Sequence, residues 1–276
     1  MVNNEVLGFC IDHSIPDSIF RIQYSNQMGM RINYTVKGEG PTLILLHGWG
    51  GSIRSLENLQ TRLSEMGFQV FNVDLPGFGE SGKPGKALVL DDYVNYLHEL
   101  IEKLNIYKPI IAGHSFGGKV AAAFAIKYPN LPSRLVLIDA SGLNPRNSSK
   151  KQFFLVTSKV FGSVFKLPGF RPIKPFFRNL YYKFIVHERD YLEADGLRET
   201  LKNILAENLD QKLRLIKADT LLIWGELDKY TPLWMGQEMS SLIKGSRLEV
   251  VAGARHALPL DEPDIVAKII YTFLKS

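Results

Sequence analysis

Cysteine is nearly absent from this chain of 276 residues: Cys10 stands alone. That excludes any internal disulfide and removes the reason to expect an oxidising compartment. Long apolar runs are missing as well, and no uninterrupted stretch approaches the ~18 residues that would suggest a membrane span. The opening MVNNEVLGFCIDHSIPD has no basic segment followed by an apolar one, so a secretory leader is not expected. Internal repeats, low-complexity tracts and charged tails are lacking. A soluble, cytoplasmic protein is the expectation. The most localised absence is of acid. Between Ala140 and His187 there is no Asp or Glu, while nine Lys and Arg residues there exceed the net charge of +5 of the whole chain. The basicity therefore belongs to one segment rather than to the protein. No groove-reading motif accompanies it, so nucleic acid is not an expected partner.

What is present, 45% hydrophobic and 22% charged residues, suffices for a sizeable core. Short apolar, β-branched runs alternate with longer helical patterns, which predicts βα units around a mostly parallel sheet. The runs are TLILLHG (Thr42–Gly48), QVFNVDL (Gln69–Leu75), PIIAGHS (Pro109–Ser115), RLVLIDA (Arg134–Ala140), TLLIWGE (Thr220–Glu226) and RLEVVAG (Arg247–Gly253). Near-continuous apolar character in several of them predicts cover on both faces. Before them, IFRIQYS and MRINYTV flank a polar turn at 26–29 and predict an antiparallel hairpin at the sheet edge. Helices are expected over 52–66, 91–105, 116–128, 232–243 and 261–274, with Asp91 and Asp261 as N-caps and Glu262 also placed to cap the last helix. From Ser141 to Lys217 no buried strand is expected; helical patterns replace it, which predicts a helical insertion between two strands.

The chemistry centres on Gly113-His114-Ser115-Phe116-Gly117. A Gly-x-Ser-x-Gly run between an apolar strand and a helix-favouring stretch is the pattern of a nucleophile elbow. The serine sits on a turn so sharp that only glycines two before and two after avoid a clash. A serine hydroxyl needs a base, and the base needs an acid to orient it. In this architecture they follow in the order Ser, Asp or Glu, His, at the carboxyl ends of later strands. Asp228 follows TLLIWGE and His256 follows RLEVVAG, so Ser115, Asp228 and His256 are the candidate catalytic set. Asp139, ending the strand before the insertion, is an alternative acid. His47 and His114 belong to turns and are expected to shape the site; His13, His98 and His187 have no partner pattern.

With HGWGG, DLPGFGESG, GHSFGG, WGELD and GARHALPLDEP, nearly the whole chain resembles the α/β-hydrolase superfamily, in particular its capped serine-nucleophile, esterase-like members. The resemblance implies a core formed by residues 1–140 and 218–276, with residues 141–217 as a helical cap. It also implies an oxyanion hole built from the backbone N–H groups of Trp49 and Phe116. Two such fixed donors stabilise the developing oxyanion by on the order of 3 kcal/mol each. The implied reaction is acyl transfer on a small-molecule ester with small to medium acyl chains, and it requires no metal or organic cofactor. Haloalkane dehalogenases and the family's epoxide hydrolases use an aspartate where this chain has Ser115. Proline iminopeptidases show HGGPGG where it has HGWGGS. Carbon–carbon bond hydrolases keep the same triad and stay open, as do lipid-ester hydrolysis, acyl-transferase or perhydrolase side activity, and a non-catalytic ligand receptor. The ten aromatic residues between Phe153 and Phe184 are expected to pack the cap and line an apolar pocket. A basic, aromatic segment is also the composition that meets anionic membrane.

Overall fold

The computed structural model describes residues 20–25, 31–143 and 195–276. In chain order the elements are β1 (Phe20–Ser25), β2 (Arg31–Lys37), β3 (Thr42–Leu46), α1 (Glu57–Glu65), β4 (Gln69–Val73), α2 (Leu90–Lys103), β5 (Ile110–His114), α3 (Phe116–Lys127) and β6 (Arg134–Ile138). There follow α4 (Asp195–Ala206), β7 (Asp219–Gly225), α5 (Leu233–Leu242), β8 (Arg247–Val251) and α6 (Pro263–Lys275). One eight-stranded sheet has the order β1-β2-β4-β3-β5-β6-β7-β8. Strands β3 to β8 are parallel, while β2 pairs antiparallel with β4 and β1 antiparallel with β2. The expected edge hairpin is therefore present; its turn, 26–29, lies outside the described residues.

Period-2 alternation within apolar strands divides the core into two layers. Ile44 and Leu46 of β3 face a cluster shared with α2, α3 and α5, whereas Leu43 and Leu45 face a second one built with α1 and α6. The seven buried residues of α2, from Leu90 to Ile101, recur at three- and four-residue spacing and give the helix its inward stripe. At the far edge, β8 is largely exposed, since it has one neighbouring strand and less cover.

Several helix boundaries differ from the sequence expectation, three of them at helix starts with a visible cause. Residues 52–66 do not form one helix: a tight turn, Ile53–Leu56, precedes α1. Asp74 accepts the Ile53 N–H at 2.7 Å and Asn72 donates to the Ile53 carbonyl at 2.7 Å, pinning that turn before the helix can start. The N-cap of α2 is Val89, not Asp91. Burial of Leu90 starts the helix one residue earlier. Asp92 then reaches back to the Val89 N–H at 2.8 Å, and Asp91 accepts from Lys127 instead. At α6 the N-cap position falls on Glu262, as one of the two expected residues, and not on Asp261, which ends a short helical turn (Leu258–Asp261); Pro263, lacking an N–H, suits the first helical position.

Of the expected insertion, 144–194 lie outside the described residues, including the helical patterns around Phe153 to Phe165. Its described end is tied to the core. Thr200 accepts the Leu88 N–H at 2.9 Å, and the Leu209 N–H donates to Gly142 at 2.8 Å. The buried Lys119 donates to the carbonyls of Ile204 and, at 2.6 Å, Glu207. A cation from α3 thus satisfies carbonyls at the negative end of α4, which has no basic residue of its own there.

Candidate active site

The sheet order reverses around β3: the chain first steps outward to β4, then returns past β3 to β5. The crevice beyond the carboxyl ends of adjacent strands β3 and β5 lies at that switch point. Ser115 follows β5, and the turn His47-Gly48-Trp49 follows β3, with Leu46 beside Gly113 in the register. A side chain on Gly48 would lie 3.4 Å from the Ser115 Cβ, so the two turns abut.

Ser115 has φ 51° and ψ −111°, a strained conformation for a residue with a side chain. The neighbouring glycines permit it. A Cβ on Gly113 would strike the Gly117 carbonyl and come within 2.6 Å of the Gly118 nitrogen; one on Gly117 would strike the Leu46 carbonyl and lie 2.6 Å from that of His47. Backbone bonds fix the tip: the Ser115 N–H donates to Ile138 at 3.0 Å, and its carbonyl accepts from Ser141 at 3.0 Å. Phe116 is the first residue of α3, so its N–H belongs to the positive end of that helix, beside Ser115. The Trp49 ring meets those of Phe116 and Phe78 edge-on at 5.2 and 4.9 Å, which holds the two turns together.

Asp228 lies beyond β7 and His256 beyond β8. The His256 Nδ1 is 2.7 Å from the Asp228 Oδ2 and its Nε2 is 3.0 Å from the Ser115 Oγ. The carboxylate accepts, so the proton sits on Nδ1 and the Nε2 lone pair faces the serine hydroxyl. Burial pushes the Asp228 carboxyl up, but hydrogen bonds from His256, its charge, and hydrogen bonds from Thr231 together hold it below the usual carboxylate range. The backbone N–H groups of Tyr230 and Thr231 donate to its Oδ1 at 2.7 and 3.0 Å, and the Thr231 hydroxyl lies 2.6 Å from Oδ2. The structure thus brings Ser115, His256 and Asp228 into one hydrogen-bonded chain. Asp139 does not take the Nδ1 position.

The other turn histidines are neutral. His114 donates from Nε2 to the His256 carbonyl at 2.7 Å; burial first, then the neighbouring His256, push it down to about 3. His47 accepts the Leu75 N–H at Nε2, 3.0 Å away, and donates from Nδ1 to Gly48; burial lowers its pKa. Both orient backbone rather than exchange protons with Ser115. The ligand atoms of His114, Asp139 and His256 lie within 4.8 Å of one another, a spacing that could suit a metal ion. Both His256 nitrogens and the His114 Nε2 are already engaged in the contacts above, so a cation there would have to break the Ser115–His256–Asp228 chain. The donors fit the hydrogen-bonded arrangement better than a metal.

Two contributors escaped the sequence reading. Thr231 bridges the Asp139 carbonyl (2.9 Å), Asp228 and the His256 ring (3.2 Å to Nδ1). The Tyr230 ring lies 5.1 Å from that of His256. Asp-x-x-Thr in LDKYT was the available signal, since an aspartate commonly accepts N–H groups two and three residues on.

Residues 43–269 match the model of the alpha/beta hydrolase family. The chain is 27% identical to epoxide hydrolase 4 of Homo sapiens, over 90% of this chain and 76% of that one. It is equally similar, at 27%, to 2-hydroxy-6-oxononadienedioate/2-hydroxy-6-oxononatrienedioate hydrolase 1 of Pseudomonas putida, over 92% of this chain and 95% of that one. Among solved structures, an esterase from Exiguobacterium antarcticum superposes with a TM-score of 0.71 at 25% identity, covering 92% of this chain and 99% of that one. With its elbow, its sheet order and this match over most of its length, the chain belongs to the alpha/beta hydrolase family.

Proposed function

We propose that this chain is a serine hydrolase that cleaves carboxylic esters through an acyl-enzyme. The observation that carries the reading is His256, bonded at once to Asp228 at 2.7 Å and to the Ser115 hydroxyl at 3.0 Å. Ser115 Oγ attacks the ester carbonyl while His256 Nε2 takes its proton. The N–H groups of Phe116 and Trp49 receive the oxyanion. His256 passes the proton to the leaving alcohol, and a water then repeats the cycle on the acyl-enzyme. Asp228 keeps the imidazole in the tautomer that can accept and stabilises the imidazolium. We assign residues 141–217 as the cap that selects the acyl group, small to medium chains in an apolar pocket.

Epoxide hydrolysis, suggested by the human relative's name, fits the elbow poorly. An epoxide opened by an aspartate leaves an ester that water can cleave at its carbonyl, whereas a serine would leave an unreactive ether. Attack on a ketone, as the Pseudomonas putida relative's oxo substrate would allow, uses the same three side chains and is the second reading. Turnover of p-nitrophenyl acetate, butyrate and octanoate by the unmodified protein and Ser115→Ala tests the proposal. Hydrolysis should fall at least ~10⁴-fold in the variant. No ester turnover above the variant, with hydrolysis of 2-hydroxy-6-oxononadienedioate instead, would transfer the assignment to the second reading. Ligand binding without turnover of either would mark a receptor.

The basic, aromatic composition between Ala140 and His187 adds a partner to the proposal: peripheral contact with anionic lipid. Among the described residues no helix is long and apolar enough to cross a membrane. Salt-sensitive co-sedimentation with anionic vesicles is the expected result; its absence ends that part of the proposal.

A further inference from the structure

Asp139 has no part in the steps above, yet its environment is as unusual as that of Ser115. It is wholly buried and holds φ at 45°, in the left-handed region that a side chain disfavours. Its backbone N–H donates to Ile223 at 2.9 Å and its Oδ1 accepts the Gly225 N–H at 2.8 Å, both on β7. Its carbonyl lies 2.9 Å from the Thr231 hydroxyl, whose single proton it shares with the Asp228 Oδ2 at 2.6 Å. Three contacts from one residue therefore fix the end of β7 and the loop that presents Asp228. Its Oδ2 has no well-formed hydrogen bond among the described residues.

The groups facing this carboxyl come from four directions. They are Asp228 on the loop after β7, the His256 ring after β8, the neutral His114 ring at the end of β5, and the Leu258 N–H of the short helical turn. One of them is an anion hydrogen-bonded in four places, and none is a resident cation. Two ionised carboxylates cannot share such a site cheaply. Burial first, and Asp228 after it, push the Asp139 carboxyl up to about 8, while Asp228 is held low.

We propose that Asp139 is a positioning residue for the Asp228–His256 pair: a buried carboxylic acid that keeps its proton while Asp228 is ionised, and that locks the loop from which Asp228 reaches His256. This rests on the ester-hydrolase reading for its kinetic assay alone. The neutral acid supplies an acceptor to Gly225 and turns an O–H, not a second negative charge, toward the triad. Asparagine reproduces that arrangement without a titrating proton.

The test compares the unmodified protein, Asp139→Asn and Asp228→Asn across about pH 5 to 10, using p-nitrophenyl butyrate. Asp139→Asn should keep kcat/KM within about tenfold near neutral pH, where Asp228→Asn falls about 10⁴-fold. A step in the unmodified profile near the Asp139 ionisation, at about 8, should be missing from Asp139→Asn. A loss greater than tenfold in Asp139→Asn, or two profiles that coincide, overturns the proposal. The His256 Nδ1–H proton resonance gives a reading that needs neither turnover nor a variant of Asp228. It should shift with a midpoint near 8 in the unmodified protein and in Ser115→Ala, and lose that shift in the added Asp139→Asn background. A resonance that does not move over that range overturns the proposal even if no ester is hydrolysed, whereas failure of the ester reading alone leaves the shift in place.

Discussion

Two aspartates end neighbouring parallel strands, Asp139 after β6 and Asp228 after β7. Both are buried, and both face the ring of His256. Their surroundings nevertheless push them in opposite directions. Asp228 collects two backbone N–H groups, the Thr231 hydroxyl and the imidazole N–H. Asp139 has one N–H on Oδ1 and an Oδ2 without a well-formed partner. At Asp139 burial prevails, whereas at Asp228 the hydrogen bonds supplied by the protein, with the charge of His256, outweigh it. Neighbouring strand ends of one sheet can thus supply both a charge and an uncharged prop to the same histidine.

Several measurements press on that contrast. The largest effect belongs to Asp228→Asn, which leaves the shape intact but favours the wrong imidazole tautomer. It should lower kcat/KM about 10⁴-fold, and a loss under tenfold would mean that another group, Asp139 included, can serve as the acid. Thr231→Val removes a hydroxyl donor from Asp228 and leaves the volume. A fall of about tenfold in kcat/KM is expected, with ~1–3 kcal/mol of stability lost, from denaturant unfolding.

The smallest effect is one of stability and carries opposite signs for the two acids. Asp228 has a depressed native pKa, so its stabilisation is present above the unfolded value of about 4 and is lost as pH falls through the native value. The native pKa of Asp139 is raised, so its contribution is complete below about pH 4 and is lost as pH rises toward about 8. Asp139→Asn escapes that loss. Its melting temperature should match the unmodified protein near pH 4 and exceed it by a margin that widens up to about pH 8 and then holds. A gap that shrinks with rising pH would reverse the signs assigned here.

Much of this architecture was legible in the chain because it depends on local chemistry. Apolar strands marked the parallel sheet, and glycines two residues on either side of Ser115 marked a turn that other residues would block. The order Ser115, Asp228, His256 could be read because each residue lies at or just beyond the end of an apolar run. What stayed hidden depends on contacts between distant segments. Asp139 and Asp228 look alike in RLVLIDA and WGELD, and only the fold decides which receives the N–H groups. Thr231 reads as an ordinary loop residue until Asp139, remote in sequence, is brought beneath it. The start of α2 depended on whether Leu90 found a core, and the division of 52–66 on Asp74. The burial of Lys119 at the end of α4 likewise has no signature in GGKVAAA.

The claim on which the rest depends is that Ser115 is an activated nucleophile. Incubation with a fluorophosphonate, followed by intact-mass and peptide mass spectrometry, tests it without any assumption about the natural ester. One phosphonyl adduct per chain is predicted, located on Ser115, fast in the unmodified protein and absent from Ser115→Ala. It should be strongly slowed in His256→Ala, where nothing takes the hydroxyl proton. No adduct, an adduct on another residue, or labelling at an unchanged rate in His256→Ala would contradict it.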